Sequence, residues 1–109
     1  MKSISQWQKE IHETAKDKGW WDEGKRPSVA ESIALMHAEL SEALEAAREG
    51  KWAPYSREDG KPEGLFIEIA DVVIRILDFC EAHNVNLEEC VAKKTDYNKH
   101  RPYRHGKLF

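Results

Sequence analysis

The chain reads as an all-α protein on three observations. Apolar residues recur at helical spacing in four stretches, those stretches are bounded by capping residues or by Gly and Pro, and no apolar-polar alternation runs long enough for a strand. The 109 residues fit a single domain covering 1–109, and at 40% hydrophobic it can build only a small core. A layer of helices this short often shares apolar surface with a copy of itself, so an oligomer is expected.

The first helix is predicted from Ser3 or Ser5 to Lys18, with Ile4, Trp7, Ile11 and Ala15 as its stripe and Gly19 as its stop. The second opens at Ser28-Val29-Ala30-Glu31, a capping box in which Ser and Glu close each other's free amides. It runs to about Glu49 along the apolar stripe Ile33, Met36, Leu40, Leu44 and Ala47, and halts at Gly50. Lys51 to Pro62 is rich in Pro, Gly and charge and reads as a loop beside the site. The third helix spans about Glu63 to Ala82; it is apolar nearly all round, and such a helix is expected to be buried. The fourth begins at the cap-like Asn86-Leu87-Glu88-Glu89 and fades before Pro102. Helices two and three, joined by a modest connection, are expected to pack antiparallel.

Two acidic pairs carry the chemistry. Glu39 with Glu42, and Glu68 with Asp71, stand three apart on helices two and three, so each pair points two carboxylates in one direction. Glu68, Asp71, Arg75 and Asp78 form one polar stripe on an otherwise apolar helix. Buried charges cost several kcal/mol unless paired or metal-bound. The simplest structural account is an ion pair of Arg75 with Asp71 or Asp78. The alternative, preferred here, is four carboxylates meeting across two helices around a hard divalent cation, Mg²⁺ or Mn²⁺. A ferritin-like di-iron site would need Glu-x-x-His, which no histidine of the chain provides. Zinc would need compact His or Cys ligands, and Cys80 and Cys90 read instead as core thiols.

Charge is unevenly spread. Residues 1–92 carry 11 Lys and Arg against 19 Asp and Glu, whereas residues 93–109 carry 6 against Asp96 alone. On the last helix Lys94, Tyr97, Asn98 and Arg101 fall on one side, a set suited to phosphate. Trp20 and Trp21 sit in the turn before helix two, where an aromatic face can stack a base for about 1–3 kcal/mol. One of the two is expected in the core, His37 is expected to be packed, and Trp20 is the substrate candidate. No apolar run approaches the roughly 18 residues of a membrane span, and no signal-peptide pattern opens the chain, so a cytoplasmic protein is expected.

Taken in order, Gly19-Trp20-Trp21-Asp22, the run Ala34 to Glu45 (Ala-Leu-Met-His-Ala-Glu-Leu-Ser-Glu-Ala-Leu-Glu), Glu68-Ile69-Ala70-Asp71 and the tail from Tyr97-Asn98 to Lys107 resemble the MazG-like, all-α nucleoside triphosphate pyrophosphohydrolases. The family's signature is Glu-x-x-Glu, an interval, then Glu-x-x-Asp, and the 25 residues between Glu42 and Glu68 are similar to the usual gap. The resemblance implies a four-helix MazG-like bundle completed by oligomerisation as a homodimer or homotetramer. It implies Mg²⁺-dependent hydrolysis of a nucleoside triphosphate or deoxynucleoside triphosphate to the monophosphate and pyrophosphate. By position, Glu39, Glu42, Glu68 and Asp71 would hold metal, and Lys94, Tyr97, Asn98 and Arg101 would meet phosphate or sugar. Glu42 is the expected catalytic group that orients the attacking water. The competing reading is a nucleic-acid-binding helical module that uses the basic tail, with the acidic stripe structural. The acidic body argues against it, because it would repel a polyanion everywhere but the tail.

Overall fold

Three of the four helices begin where a side chain closes the first turn. The computed structural model describes residues 1–109, with α1 at Ile4–Asp17, α2 at Val29–Arg48, α3 at Leu65–Ala82 and α4 at Leu87–Lys99. Ser3 with Gln6 and Ser28 with Glu31 form complete capping boxes, and the Asn86 side chain accepts the Glu89 amide. Helix α3 has no such cap; it starts at Gly64, whose φ of 120° and ψ of 164° lie in a region essentially closed to other residues. The fold is thus mostly helical, as expected. The connection between α2 and α3 departs from a plain loop by forming a two-residue antiparallel hairpin, β1 (Tyr55–Ser56) with β2 (Pro62–Glu63).

Helix α3 is the centre of the molecule, packing on α2 along one side and on α1 along another, while α4 rests on α1. The α2–α3 pair is antiparallel: Glu42 lies beside Glu68 near the connected ends, and Arg75, further along α3, reaches back to Glu39. Gln8, buried on α1, ties that helix to the far end of α3 by donating to Glu81 Oε1 at 2.9 Å and to the Val85 carbonyl at 2.7 Å. Helix α4 is held at its start by Glu88, which accepts from the Ile4 amide and the Ser5 hydroxyl.

The core is small. Seven residues are buried, and its apolar members are Ala43, Val72, Leu77 and Cys80. Helix α2 turns Ser32, Glu39, Ala43 and Ala46 inward, leaving much of its apolar stripe, Ile33, Leu40 and Leu44, in solvent. Helix α3 is likewise covered on only part of its circumference: Phe66, Ile69, Val73 and Ile74 are exposed, against the expectation of a buried helix. The reason is geometric, since two neighbouring helices cannot enclose a third. Cys90 and His37 are exposed too, correcting the expectation that both pack inside. No helix is long and apolar enough to cross a membrane.

Candidate active site

Antiparallel packing sets one carboxylate-bearing flank of α2 against the first two turns of α3. Oxygens of Glu39, Glu42 and Glu68 converge within 4.8 Å of one another. Glu39 is nearly enclosed, with 14% of its side chain exposed, and its Oε1 accepts from Arg75 Nε at 2.8 Å. Glu42 lies at the open edge. The Oε2 atom of Glu68 is buried without any hydrogen-bond partner. Burial above all, then the charges of Asp71 and Glu42, a hydrogen bond with Glu42 and the charge of Glu39 hold the Glu68 carboxyl above its usual range. Asp71 is not among the three whose oxygens converge; it stands one turn along α3, close enough to feel Glu39 and to be hydrogen-bonded by Glu68. Its carboxyl is raised by burial and by Glu39, against opposing pulls from the Glu68 hydrogen bond, Arg75 and Lys61.

The polar stripe of α3 therefore divides between two partners. Arg75 pairs across the helix interface with Glu39, and not with Asp71 or Asp78 on its own helix. Asp78 is claimed from the other side: Trp21 Nε1 donates to both of its oxygens at 2.9 and 3.0 Å, and His12 Nδ1 lies 2.7 Å from Oδ1. Trp21 also meets the His12 ring edge-on, so it is the structural member of the tryptophan pair. Trp20 remains 68% exposed.

A cleft of about 440 Å³ opens from the carboxylates toward the hairpin, within the usual range of small-molecule sites. Glu42 and Glu68 line it, and Lys51, Tyr55, Lys61 and Glu63 come from the connection. The sequence marks this connection as a loop beside the site but does not distinguish these four residues within it. A smaller cavity of about 40 Å³ between Trp21, Leu35, Arg75 and Phe79 has room for little more than a water.

The residues expected from the last helix are not brought to this place. No α4 side chain lines the cleft, because α4 packs on α1. They do gather with one another: Lys94 Nζ lies 5.0 Å and Arg101 Cζ 5.7 Å from the centre of the Tyr97 ring, with Asn98 exposed beside them. The chain therefore presents two sets, an acidic cleft between α2 and α3 and a basic aromatic surface on the last turns of α4 and at Arg101 just beyond it. No protein-family model, curated protein or solved structure matches the chain.

Proposed function

We propose that the chain is a Mg²⁺-dependent nucleoside triphosphate pyrophosphohydrolase of the MazG-like kind, with its site in the α2–α3 cleft. The observation that carries this reading is the convergence of Glu39, Glu42 and Glu68, where one Glu68 oxygen is buried with no amide, hydroxyl or cation donating to it. Three carboxylates this close repel one another, and an unsatisfied buried acceptor is costly. The donor set is all oxygen, which suits Mg²⁺ or Mn²⁺ over softer metals. Glu39, Glu42 and Glu68, with Asp71 beside them, would hold the ion, which when bound supplies charge neutralisation for the phosphate oxygens.

The chain's own groups supply the rest. Arg75 holds Glu39 in place, so one carboxylate is fixed before any ligand arrives. Glu42, at the open edge, would orient a water attacking the α-phosphorus and take its proton. The water oxygen bonds to that phosphorus, the bond to the bridging oxygen breaks, and its electron pair leaves on pyrophosphate. Such a displacement needs positioning and charge stabilisation more than covalent catalysis.

We infer further that a second copy covers the bare faces of α2 and α3, giving a homodimer or a homotetramer. Ile33, Leu40 and Leu44 on α2 and Phe66, Ile69 and Val73 on α3 make an exposed apolar surface of the kind that marks protein contacts. Lys94, Tyr97, Asn98 and Arg101 then serve the nucleotide only where assembly brings α4 of one copy to the cleft of another.

The test is release of pyrophosphate from a panel of ribo- and deoxyribonucleoside triphosphates, with Mg²⁺ and with chelator. Glu42→Gln and Asp71→Asn should each abolish Mg²⁺-dependent release with helical content intact by circular dichroism. No release from any triphosphate by the native protein, or full activity in both variants, rejects the reading.

A further inference from the structure

Two lysines are the only cationic groups on the cleft, and they arrive from opposite ends of the α2–α3 connection. Lys51 follows α2 and Lys61 precedes β2. We propose that Lys51 and Lys61 form the subsite for the terminal phosphates of the substrate, the part that departs as pyrophosphate; this rests on the hydrolase reading above.

Three observations carry it. The first is position. Both lysines line the same cleft as Glu42 and Glu68, so a phosphate chain anchored at the carboxylates extends toward them.

The second is anchoring. The Leu65 amide at the start of α3 donates to the Lys51 carbonyl at 2.7 Å, and the Arg57 amide donates to the Lys61 carbonyl at 2.8 Å. The backbone at each lysine is thus fixed although its ammonium group is free to move. The third is availability. Lys51 Nζ is 3.0 Å from Glu49, both exposed, and Lys61 Nζ is 3.8 Å from a half-buried Glu63 that Tyr55 and Arg57 already hold. Exposed pairs of this kind are worth about 0–1 kcal/mol. Exchanging a carboxylate for a phosphate oxygen therefore costs little, and a flexible ammonium is well suited to meeting phosphate as a point charge.

The arrangement also places positive charge where it is needed in the reaction. When the bond between the α-phosphorus and the bridging oxygen breaks, negative charge grows on the departing pyrophosphate, and preorganised cations at that end stabilise it. Because Glu42, Glu45, Glu49, Glu63 and Glu68 outnumber the two lysines on the cleft, pyrophosphate should bind only when divalent cation is present.

The experiment is equilibrium binding of inorganic pyrophosphate by calorimetry, in Mg²⁺ and in chelator. It compares the native protein, Lys51→Ala, Lys61→Ala, the double variant, the charge-keeping Lys51→Arg/Lys61→Arg and Lys94→Ala. Mn²⁺ binding by electron paramagnetic resonance serves as the control for the carboxylates. Each hairpin alanine should weaken pyrophosphate about tenfold, as expected for loss of one charged hydrogen bond. Mn²⁺ binding should be unchanged, and the arginine pair should restore most of the affinity. Unchanged pyrophosphate affinity in the double variant overturns the subsite while the hydrolase reading stands, and so does a loss confined to Lys94→Ala. A native protein that binds no pyrophosphate overturns it as well; failure of the hydrolase reading is seen separately, as absence of pyrophosphate release from every triphosphate.

Discussion

Burial and three neighbouring carboxylates hold the Glu68 proton more tightly than a free glutamate would. A carboxyl whose folded pKa lies above its unfolded value adds stability in acid, and that contribution is lost as pH rises through the raised value. The metal-free protein should therefore melt at a steadily lower temperature as pH climbs from about 4, the ordinary carboxylate region. Asp71, raised by burial and by Glu39, adds to the same trend. A divalent cation binds the ionised cluster, so its benefit runs the opposite way. Mg²⁺ at a hundredfold excess over its Kd should stabilise by about 2.7 kcal/mol at neutral pH and by progressively less in acid. Glu68→Gln removes the charge while keeping the shape. It should flatten the acid slope, raise the metal-free melting temperature at neutral pH and abolish the response to Mg²⁺. Differential scanning fluorimetry across pH reads all three, and a melting temperature indifferent to Mg²⁺ at every pH would count against a cation among these residues.

Helix α3 is placed against the hairpin by a single backbone position. A methyl group on Gly64 would stand 2.7 Å from the Ala53 carbonyl oxygen, at a φ of 120° that side chains avoid. Gly64→Ala should cost about 1–3 kcal/mol from strain alone and shift the hairpin away from the cleft. Urea unfolding reads the first effect, and weakened pyrophosphate binding with intact Mn²⁺ binding reads the second. An alanine variant as stable as the native chain would show that the connection yields without cost. The elements differ in how plainly the sequence announces them. The limits of α1, α2 and α4 are legible because Ser3, Ser28 and Asn86 cap them through contacts within three residues. The approach of Glu39, Glu42 and Glu68 is legible as well, since two acidic faces on consecutive antiparallel helices leave few other arrangements. The hairpin is not, because two residues per strand are too few to alternate. Nor is the Arg75–Glu39 pair, which depends on the register between helices and on Asp78 already being engaged by Trp21 and His12. Lys51 and Lys61 are not legible in the sequence because each sits among charges of both signs, and only the folded connection turns the pair onto one cleft.

At the scale of the whole molecule, the surface is too large for the mass. A compact monomer of 12.6 kDa exposes about 6,200 Å², whereas this chain exposes 8,642 Å². Its radius of gyration is 16.5 Å, against about 13 Å for a compact chain of this length. Part of the excess lies in the tail, at Tyr103, Leu108 and Phe109, and part in apolar side chains in helical register: Leu40 and Leu44 on α2, Phe66 and Val73 on α3. The stripe on α2 is legible in sequence, but within the chain much of it is left uncovered, at Ile33, Leu40 and Leu44. Removing those side chains from water stabilises by roughly 25 cal/mol per Å², so a second copy meeting the chain through α2 and α3 would gain from covering them. Such a contact is self-complementary, so a charge placed on it is met by the same charge on the partner. Light scattering on the native protein should therefore give a dimer or a tetramer. Leu40→Glu and Val73→Glu should each shift the protein toward monomer and lower its melting temperature in a concentration-dependent manner. Pyrophosphate release should fall with them, since the α4 residues of one copy then lose the cleft of the other. A native protein that is monomeric at micromolar concentration and fully active would instead confine the whole site to the α2–α3 cleft of one chain and leave the α4 surface without a part in the reaction.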